Sequence, residues 1–332
     1  MKEGHFHPTP NPYHPIPINF LPGRRLLRSD ICRRAALCVI ALVVLSGCAK
    51  KEARIGSVRR PIVMAFVASV ESQKLLVSGD ELARMLEKRT GYKFKTAVLT
   101  SYAAAIEAMG AGKADVVWYP PFCYVLAHEK VGARVILMTI RGGSKWYHGY
   151  IIVRKDSGIN KLADLKGKRF AYVDPLSTSG SIYPKLLLKE KGYDPEAFFS
   201  RAIYAGGHDR AVIAVYNGQV DGAAIFGNGD VDARDMVNKG DFKDVKEKTK
   251  IIAQTAAIPN DTVAVSKDLP TEAVKSIRDS LLEISKSDAG RRAVLAIYGV
   301  DGLVPAKDSN FDPIRRAVRL MGVNLEEAAK SK

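Results

Sequence analysis

The sequence predicts an α/β protein of two lobes, each with a central, mostly parallel sheet flanked by helices, and with a ligand cleft between the lobes. Short apolar runs of strand length alternate with helical segments from residue 61 to residue 298, which is typical of sheets covered by helices on both faces. A chain of 332 residues is long enough for two domains. The pattern crosses between the halves twice, near residues 148–153 and 254–261, so we expect the second lobe to be inserted in the first.

A targeting segment precedes the predicted fold. Five arginines between residues 24 and 34 are followed by an apolar run at residues 35–44 and by Leu-Ser-Gly-Cys at residues 45–48. This run is shorter than the ~20 residues of a membrane-spanning helix, so we predict a lipoprotein signal peptide over residues 1–47. Lipidation of Cys48 would anchor the protein to a bacterial membrane, outside the cytoplasm. Residues 48–60 would form a polar tether.

The cysteine content and the net charge limit the classes of partner that the protein could have. Removal of the signal leaves Cys48 and Cys123, so we expect no disulfide within the mature chain. The formal net charge of +16 suits nucleic acid, an anionic membrane surface or a small anionic ligand. The predicted extracytoplasmic location and the lack of a nucleic-acid-binding motif argue against nucleic acid as the partner. A membrane surface and a small anion remain.

The first lobe is predicted from residues 61–149 together with residues 256–332. Pro61 precedes an apolar strand, and Pro120-Pro121 ends the third strand of this half. The predicted elements before the first crossing are strand 62–68, a helix that ends at residues 90–91, strand 94–99, helix 103–111, strand 115–119, helix 122–130 and strand 135–140. After the second crossing we predict strand 262–266 and helices 271–285, 289–298 and 311–321.

The second lobe is predicted from residues 150–255. It repeats the alternation of strands and helices found in the first half. The predicted elements are strand 150–153, helix 162–165, strand 169–173, a long helix from residue 181, strand 201–205, helix 208–217, strand 222–225 and strand 250–254.

The segment at residues 174–181, Asp-Pro-Leu-Ser-Thr-Ser-Gly-Ser, lies between a predicted strand and a predicted helix. The first four N–H groups of a helix lack intrahelical partners, and the helix dipole makes that end positive. Such a helix start is a suitable binding site for a small oxyanion. The alternative is that Ser177 or Thr178 only caps the helix.

We expect other polar or aromatic segments to lie at the same cleft. Ligands bind to such sheets beyond the carboxyl ends of the strands, and these segments lie near strand ends or crossings. Each also has a structural alternative, namely an ordinary helix cap, packing of the hinge, or a turn. These segments are Thr100-Ser101-Tyr102, Trp146-Tyr147-His148, Gly206-Gly207-His208-Asp209 and Ile258-Pro259-Asn260-Asp261. A carboxylate beside an anion is costly unless a proton lies between them, so Asp261 would select an oxyanion that carries P–OH, or an amine on the ligand.

Signatures of enzymes are missing from the sequence. It has no G-x-S-x-G elbow, no P-loop, no H-E-x-x-H and no Cys/His metal spacing. We therefore predict no catalytic residue, no metal site and no cofactor.

At these segments the chain resembles the PhnD-type family, the substrate-binding proteins of phosphonate, phosphite and phosphate ABC transporters. The resemblance covers nearly all of residues 61–298. It is carried by residues 174–180 and by four further segments, which are residues 101–102, 153–157, 205–221 and 258–261. It implies the type II periplasmic-binding-protein fold.

The resemblance also implies a binding shell for the ligand. Ser177, Thr178 and Ser179 would hold the P–O oxygens, and the residues that complete the shell would be Tyr102, Tyr147, His208 and Asp261. Members that take aminoalkyl phosphonates have an acidic residue in the loop after the Val-Asp-x-Ala strand. Here this loop is Phe226-Gly227-Asn228, which favours phosphite, methylphosphonate or phosphate.

The predicted function is therefore that of a monomeric, lipid-anchored solute-binding protein of an ABC importer. It would capture a phosphorus oxyanion and deliver it to a membrane permease without a covalent step. Two alternatives stay open, which are a ligand-binding sensor module for a membrane receptor kinase and a hydrolase of phosphorylated compounds.

Overall fold

The computed structural model describes residues 53–322 and residue 325. The predicted signal peptide, the Cys48 lipidation site and the start of the tether lie outside these residues. The last tether residues form a turn against the first sheet, in which the Gly56 amide donates to the Arg60 carbonyl and the Lys93 amide donates to the Gly56 carbonyl, each at 2.8 Å. No helix in the described part of the chain is long and apolar enough to cross a membrane.

Strands and helices alternate along the described chain. The strands are β1 (Ile62–Val67), β2 (Phe94–Leu99), β3 (Val116–Tyr119), β4 (Arg134–Ile140), β5 (Trp146–Arg154), β6 (Arg169–Tyr172), β7 (Arg201–Tyr204), β8 (Gly222–Asn228), β9 (Val231–Asp232), β10 (Thr249–Gln254), β11 (Ile258–Pro259), β12 (Thr262–Val265) and β13 (Gly302–Pro305). The helices are α1 (Ser72–Thr90), α2 (Tyr102–Gly110), α3 (Pro121–Val131), α4 (Tyr183–Glu190), α5 (His208–Tyr216), α6 (Arg234–Val237), α7 (Val245–Lys248), α8 (Thr271–Lys286), α9 (Asp288–Ala296) and α10 (Asp312–Leu320).

The strands form two sheets, and we call the parts of the molecule built on them the first and the second lobe. Within the described residues, the first sheet has the order β13-β4-β12-β3-β1-β2. The second has the order β10-β5-β8-β6-β7, with β11 paired to β5 and β9 paired to β8. The chain passes from the first sheet to the second between β4 and β5 and returns between β11 and β12.

The prediction that the sheets are mostly parallel is wrong, because both sheets are mixed. Only β1 with β2 and β3, and β6 with β7 and β8, pair in parallel among the described strands. The strands β5 and β12 follow the two crossings and therefore start at the cleft, where the parallel strands β1, β2, β3, β6, β7 and β8 end. Each consequently runs antiparallel to its neighbours in the sheet.

Apolar side chains at helical spacing attach the helices to the first sheet. Leu75, Leu82 and Leu86 of α1 and Ile277 and Leu281 of α8 are fully buried and belong to one cluster with β1. Full burial of a leucine or isoleucine side chain stabilises a fold by ~1.5–3 kcal/mol. This packing holds the first sheet in place, and with it the carboxyl ends of the strands that face the cleft.

Candidate functional site

A small cavity lies at the carboxyl ends of the strands, between the two lobes. Its volume is about 30 Å³, more than the ~10–15 Å³ that one water molecule needs. Six of the seven predicted ligand-binding residues line it, and Thr178 is the exception. The lining residues are Ser69, Tyr102, Pro120, Arg141, Tyr147, Ser177, Ser179, His208, Phe226, Asp261 and Tyr298. We call this space the anion cavity.

The serine-rich segment enters α4 through one turn of π-helix, Thr178–Ile182. Ser177 caps this turn, since its Oγ accepts from the Gly180 amide at 3.2 Å. The Thr178 and Ser179 amides, in the first turn, have no intrahelical acceptor. Gly180 is required here because a Cβ would lie 2.5 Å from the Val173 side chain. The segment therefore combines the predicted cap with free amides beside the cavity.

Thr178 faces the other lobe. Its Oγ1 accepts from the Phe122 amide at 2.9 Å, and Phe122 lies in the first turn of α3. This amide has no acceptor within α3 because it belongs to the four N–H groups at the helix start. Thr178 thus joins the two lobes, and the structure does not bring it to the cavity wall with the other predicted residues.

Tyr102 begins α2, and its buried side chain lines the anion cavity from the first lobe. Ser101 caps the helix by accepting from the Ala104 amide at 3.1 Å. The Tyr102 hydroxyl is buried and has no hydrogen-bond partner among the described residues. Burial raises the pKa of Tyr102 well above its ordinary value. This neutral hydroxyl is a donor that a bound oxyanion would satisfy.

His208 is the first residue of α5 and is 5% exposed. Its Nδ1 accepts from the Phe226 amide at 3.2 Å, so in the neutral ring the proton lies on Nε2. Burial, with a smaller contribution from the Arg141 charge, lowers the pKa of His208 to about 3. His208 is therefore a neutral N–H donor at physiological pH.

Tyr147 lies in β5, directly after the first crossing, and is 3% exposed. Burial raises its pKa well above the ordinary value. The Arg141 guanidinium carbon lies 5.8 Å from the centre of its ring. The neighbouring Trp146 is 45% exposed, so the aromatic residues of this segment divide between the cavity and the surface.

Asp261 forms a largely buried ion pair with Arg141, which the sequence analysis missed. The Arg141 Nη2 donates to Asp261 Oδ2 at 2.5 Å, and the two side chains are 10% and 14% exposed. The Arg141 Nη1 also donates to Asn260 Oδ1 at 3.0 Å, and its Nε donates to the Tyr298 carbonyl at 2.9 Å. Position 141 directly follows strand β4, and a charged residue at the carboxyl end of a strand was a signal that could have found it.

Tyr298 is a second residue of the cavity that sequence reasoning missed. It has a positive φ of 58°, unique among the described non-glycine residues. Its hydroxyl donates to the Val67 carbonyl at 2.6 Å. Strain of this kind persists where the surrounding structure fixes the residue. No local pattern in the sequence marks this residue, because its partners lie more than 150 residues away.

Three hydrogen bonds between described residues join the lobes around the cavity. Besides Phe122 and Thr178, the His208 amide donates to the Ser69 carbonyl at 2.9 Å. The Asn228 side-chain amide donates to the Arg141 carbonyl at 2.6 Å. The lobes are therefore closed over the cavity in this structure.

The electrostatics of the cavity suit a small oxyanion. Neutral donors from both lobes surround one guanidinium and one carboxylate, and charge-assisted hydrogen bonds to such donors are stronger than neutral ones. A bound anion would be shielded from water. Hydrogen bonds are stronger in such a low-dielectric interior than they are in water. No group of three or more His, Cys, Asp or Glu side chains within the described residues is arranged to hold a metal ion.

Residues 64–311 match the family described as "ABC transporter, phosphonate, periplasmic substrate-binding protein". The chain belongs to this family. The predicted family is thereby confirmed, and the matched range contains every residue that lines the anion cavity. The family works outside the cytoplasm.

Two curated relatives and one solved structure give the range of similarity. The chain is 33% identical to the phosphate-import protein PhnD of Mycolicibacterium smegmatis over 278 residues, 79% of this chain and 86% of that protein. It is 30% identical to the phosphonates-binding periplasmic protein of Escherichia coli over 256 residues, 75% of this chain and 74% of that protein. PhnD1 of Prochlorococcus marinus, solved with methylphosphonate, has a TM-score of 0.69 at 18% identity and covers 79% of this chain and 98% of its own. The last comparison confirms the two-lobed α/β fold.

Proposed function

We propose that this chain captures a phosphorus oxyanion (phosphonate, phosphite or phosphate) outside the cytoplasm and delivers it to the permease of an ABC importer. The observation that carries this proposal is the anion cavity, a closed space at three helix starts with an unpartnered buried hydroxyl and a guanidinium. The named relatives, one for phosphate import and one for phosphonate binding, support the same ligand class.

Each lobe would supply part of the binding shell. Ser177, Ser179 and the free amides of the π turn would hold P–O oxygens from the second lobe. Tyr102, Tyr147 and the His208 Nε2 would donate further hydrogen bonds, and Arg141 would supply the positive charge. Thr178 would act on the ligand through closure, by joining the lobes.

We further propose that the protein works as a monomer tethered through Cys48 and carries out no covalent step. Binding by hydrogen bonds alone needs no nucleophile or base. The neutral His208 has its Nδ1 occupied by the Phe226 amide, so this nitrogen is not free to act as a general base. The first lobe and the inserted second lobe would open and close about the two crossings.

Asp261 would select a ligand that keeps a proton. Its Oδ2 accepts from Arg141, and its Oδ1 would accept from a P–OH group. Calorimetric titration with phosphate, phosphite, methylphosphonate and sulfate tests the proposal. We expect sulfate to bind at least tenfold more weakly than phosphate, about 1.4 kcal/mol, because sulfate brings no proton.

The substitution Asp261→Asn separates the roles. We expect it to weaken phosphate binding at least tenfold and to reduce the preference over sulfate, while the matched control Asp268→Asn, on the exposed surface, changes neither. Equal affinity for sulfate and phosphate in the unmodified protein contradicts the role of Asp261. Lack of binding of every phosphorus oxyanion contradicts the function itself.

A further inference from the structure

The first lobe carries a group of cations at the end of its sheet that lies away from the cleft. The parallel strands β1 and β2 end at the cleft, so their amino ends lie at the other side of the sheet. Strand β1 has six residues, which at the rise of a strand separates the two sides by ~20 Å. The exposed cations of the turn before β1, the end of α1 and the residue before β2 are Arg54, Arg59, Arg60, Lys88, Arg89 and Lys93. We call this set the basic face.

Backbone hydrogen bonds bring the three segments of the basic face together. The Lys93 amide donates to the Gly56 carbonyl, and the Ile62 amide donates to the Lys93 carbonyl, each at 2.8 Å. Lys93 comes two residues after Gly91, which ends α1 in the left-handed conformation. The turn before β1 therefore lies beside the end of α1, and the cations of both belong to one surface.

The carboxylates near the basic face already have partners. Glu87 pairs with Lys93 at 3.2 Å, and Glu283 pairs with Lys286 at 2.7 Å. The half-buried Asp115 accepts from a backbone amide at 2.8 Å. The basic face consequently keeps an excess of positive charge.

The same turn places an apolar side chain among these cations. Val58 directly precedes Arg59 and is 81% exposed. An exposed apolar residue beside cations suits the interface of an anionic membrane, where the apolar group enters the lipid and the cations contact the head groups. Cys48 comes five residues before Ala53, so even an extended chain holds the two within ~18 Å of each other. A lipid on Cys48 would thus keep the basic face close to the bilayer.

We propose that the basic face lies on the anionic lipids of the membrane to which Cys48 is tethered, with the anion cavity directed away from the bilayer. This inference rests on the tethering in the proposed function and adds the orientation of the molecule. Each cation near an anionic surface adds to the attraction, which salt weakens. Attraction of this kind is reversible, so it orients the tethered protein and does not replace the anchor.

Sedimentation of the unlipidated Cys48→Ala protein with vesicles tests the inference. One set of vesicles contains phosphatidylglycerol and phosphatidylcholine, and the other contains phosphatidylcholine alone. We expect binding to the neutral vesicles to be at least tenfold weaker than to the anionic ones, and high salt to release the protein from the latter. Binding to neither set, or equal binding to both, overturns the inference. Titration of the same protein with phosphate decides the proposed function separately.

Substitutions at the basic face separate its role from that of the net charge. The test variant carries Arg59→Gln, Lys88→Gln and Arg89→Gln. The matched control removes the same charge from the exposed surface of the second lobe, through Lys166→Gln, Lys168→Gln and Lys191→Gln. We expect the test variant to bind anionic vesicles at least tenfold more weakly and the control to stay within about threefold. Equal losses in both variants overturn the inference, and unchanged phosphate affinity in both shows that they fold.

A label measures the orientation directly. Val58→Cys places the label on the basic face, and the matched control Val231→Cys places it at the cleft end of the second lobe, where Val231 is 57% exposed. Both are made in the Cys48→Ala protein, in which Cys123 is buried. We expect brominated lipids in anionic vesicles to quench a fluorescent label at position 58 and to have little effect at position 231. Equal quenching at both positions overturns the proposed orientation.

Discussion

Arg141 decides the charge of the anion cavity at the scale of single residues. It neutralises Asp261, whose carboxylate would otherwise repel an oxyanion from the same wall. The bond to Asn260 and the bond to the Tyr298 carbonyl hold the guanidinium in place. The cavity consequently presents hydrogen-bond donors to a ligand, with its one carboxylate compensated.

We expect Arg141→Met to abolish most of the affinity for phosphate. The variant loses the cation and leaves Asp261 unpaired in a largely buried place, and removal of one partner of a buried pair costs ~3–5 kcal/mol. Part of this cost falls on folding, so the free energy of unfolding is measured beside the affinity. The double variant Arg141→Met with Asp261→Asn removes the lone charge and should recover stability and part of the binding. No recovery in the double variant would contradict the role assigned to the pair.

His208 predicts a pH dependence of stability. Its folded-state pKa is about 3, below the ordinary value of about 6.5, so the unfolded chain binds more protons between these values. Stability from this residue is therefore complete above pH 6.5 and is lost as the pH falls. Between pH 7 and pH 5 we expect a loss of about 2 kcal/mol. Urea unfolding of the ligand-free protein at both pH values measures it.

The variant His208→Asn is the control for that measurement. Its side-chain oxygen can still accept from the Phe226 amide, but it has no group that titrates near neutral pH. We expect the variant to lose clearly less stability than the unmodified protein over the same interval. An identical pH dependence in both proteins would mean that His208 is not kept neutral by burial.

At the scale of elements, the helix starts of the two lobes complement each other across the cleft. Ser177 and Ser179 line the anion cavity, and the Thr178 hydroxyl accepts from the Phe122 amide of α3. The same short segment after Leu176 would therefore serve both the ligand and the closure of the lobes. The sequence predicted that all three hydroxyls bind the ligand, because the sequence alone does not show that α3 begins directly opposite Thr178.

We expect Thr178→Val to weaken ligand binding about tenfold or more. The substitution keeps the shape of the side chain but leaves the Phe122 amide unpaired in the closed state, at a cost of ~1–3 kcal/mol. In the open state water can satisfy this amide, so the cost falls on closure. Titration calorimetry gives the affinity, and small-angle scattering gives the fraction of closed molecules. Thr271→Val, at the exposed start of α8, is the matched control, and equal loss in both variants would contradict the mechanism.

The elements that depend on local patterns were predictable. Apolar runs predicted ten of the described strands, and the hydroxyl-rich segment predicted the helix start at the cleft, because such signals lie within a few residues. The strands β9, β11 and β13 were missed, because the first two have only two residues each and β13 begins with a glycine and ends with a proline. The direction of β5 and β12 was not predictable in this way, since it depends on where the chain re-enters a sheet. Arg141 and Asp261 lie 120 positions apart in the sequence. No sequence pattern near either residue predicts that the two form an ion pair.

At the scale of the whole molecule, the two lobes meet around the anion cavity through hydrogen bonds and an ion pair. Lys239 of the second lobe lies 3.5 Å from Glu71 of the first. The permease would then meet one closed surface, whichever phosphorus oxyanion is bound.

The proposed membrane anchor is a property of the whole molecule, and it depends on Cys48. We expect Cys48→Ala to move the protein from the membrane fraction to the soluble fraction with unchanged ligand affinity, because two acyl chains give stable anchoring. Cell fractionation with titration of the recovered protein measures both. The matched control is Cys123→Ala, since Cys123 is a buried residue of the first lobe and its loss leaves the anchor in place. If Cys48→Ala stays with the membrane, attachment has another cause, such as the basic surface of the protein, and high salt should then release it.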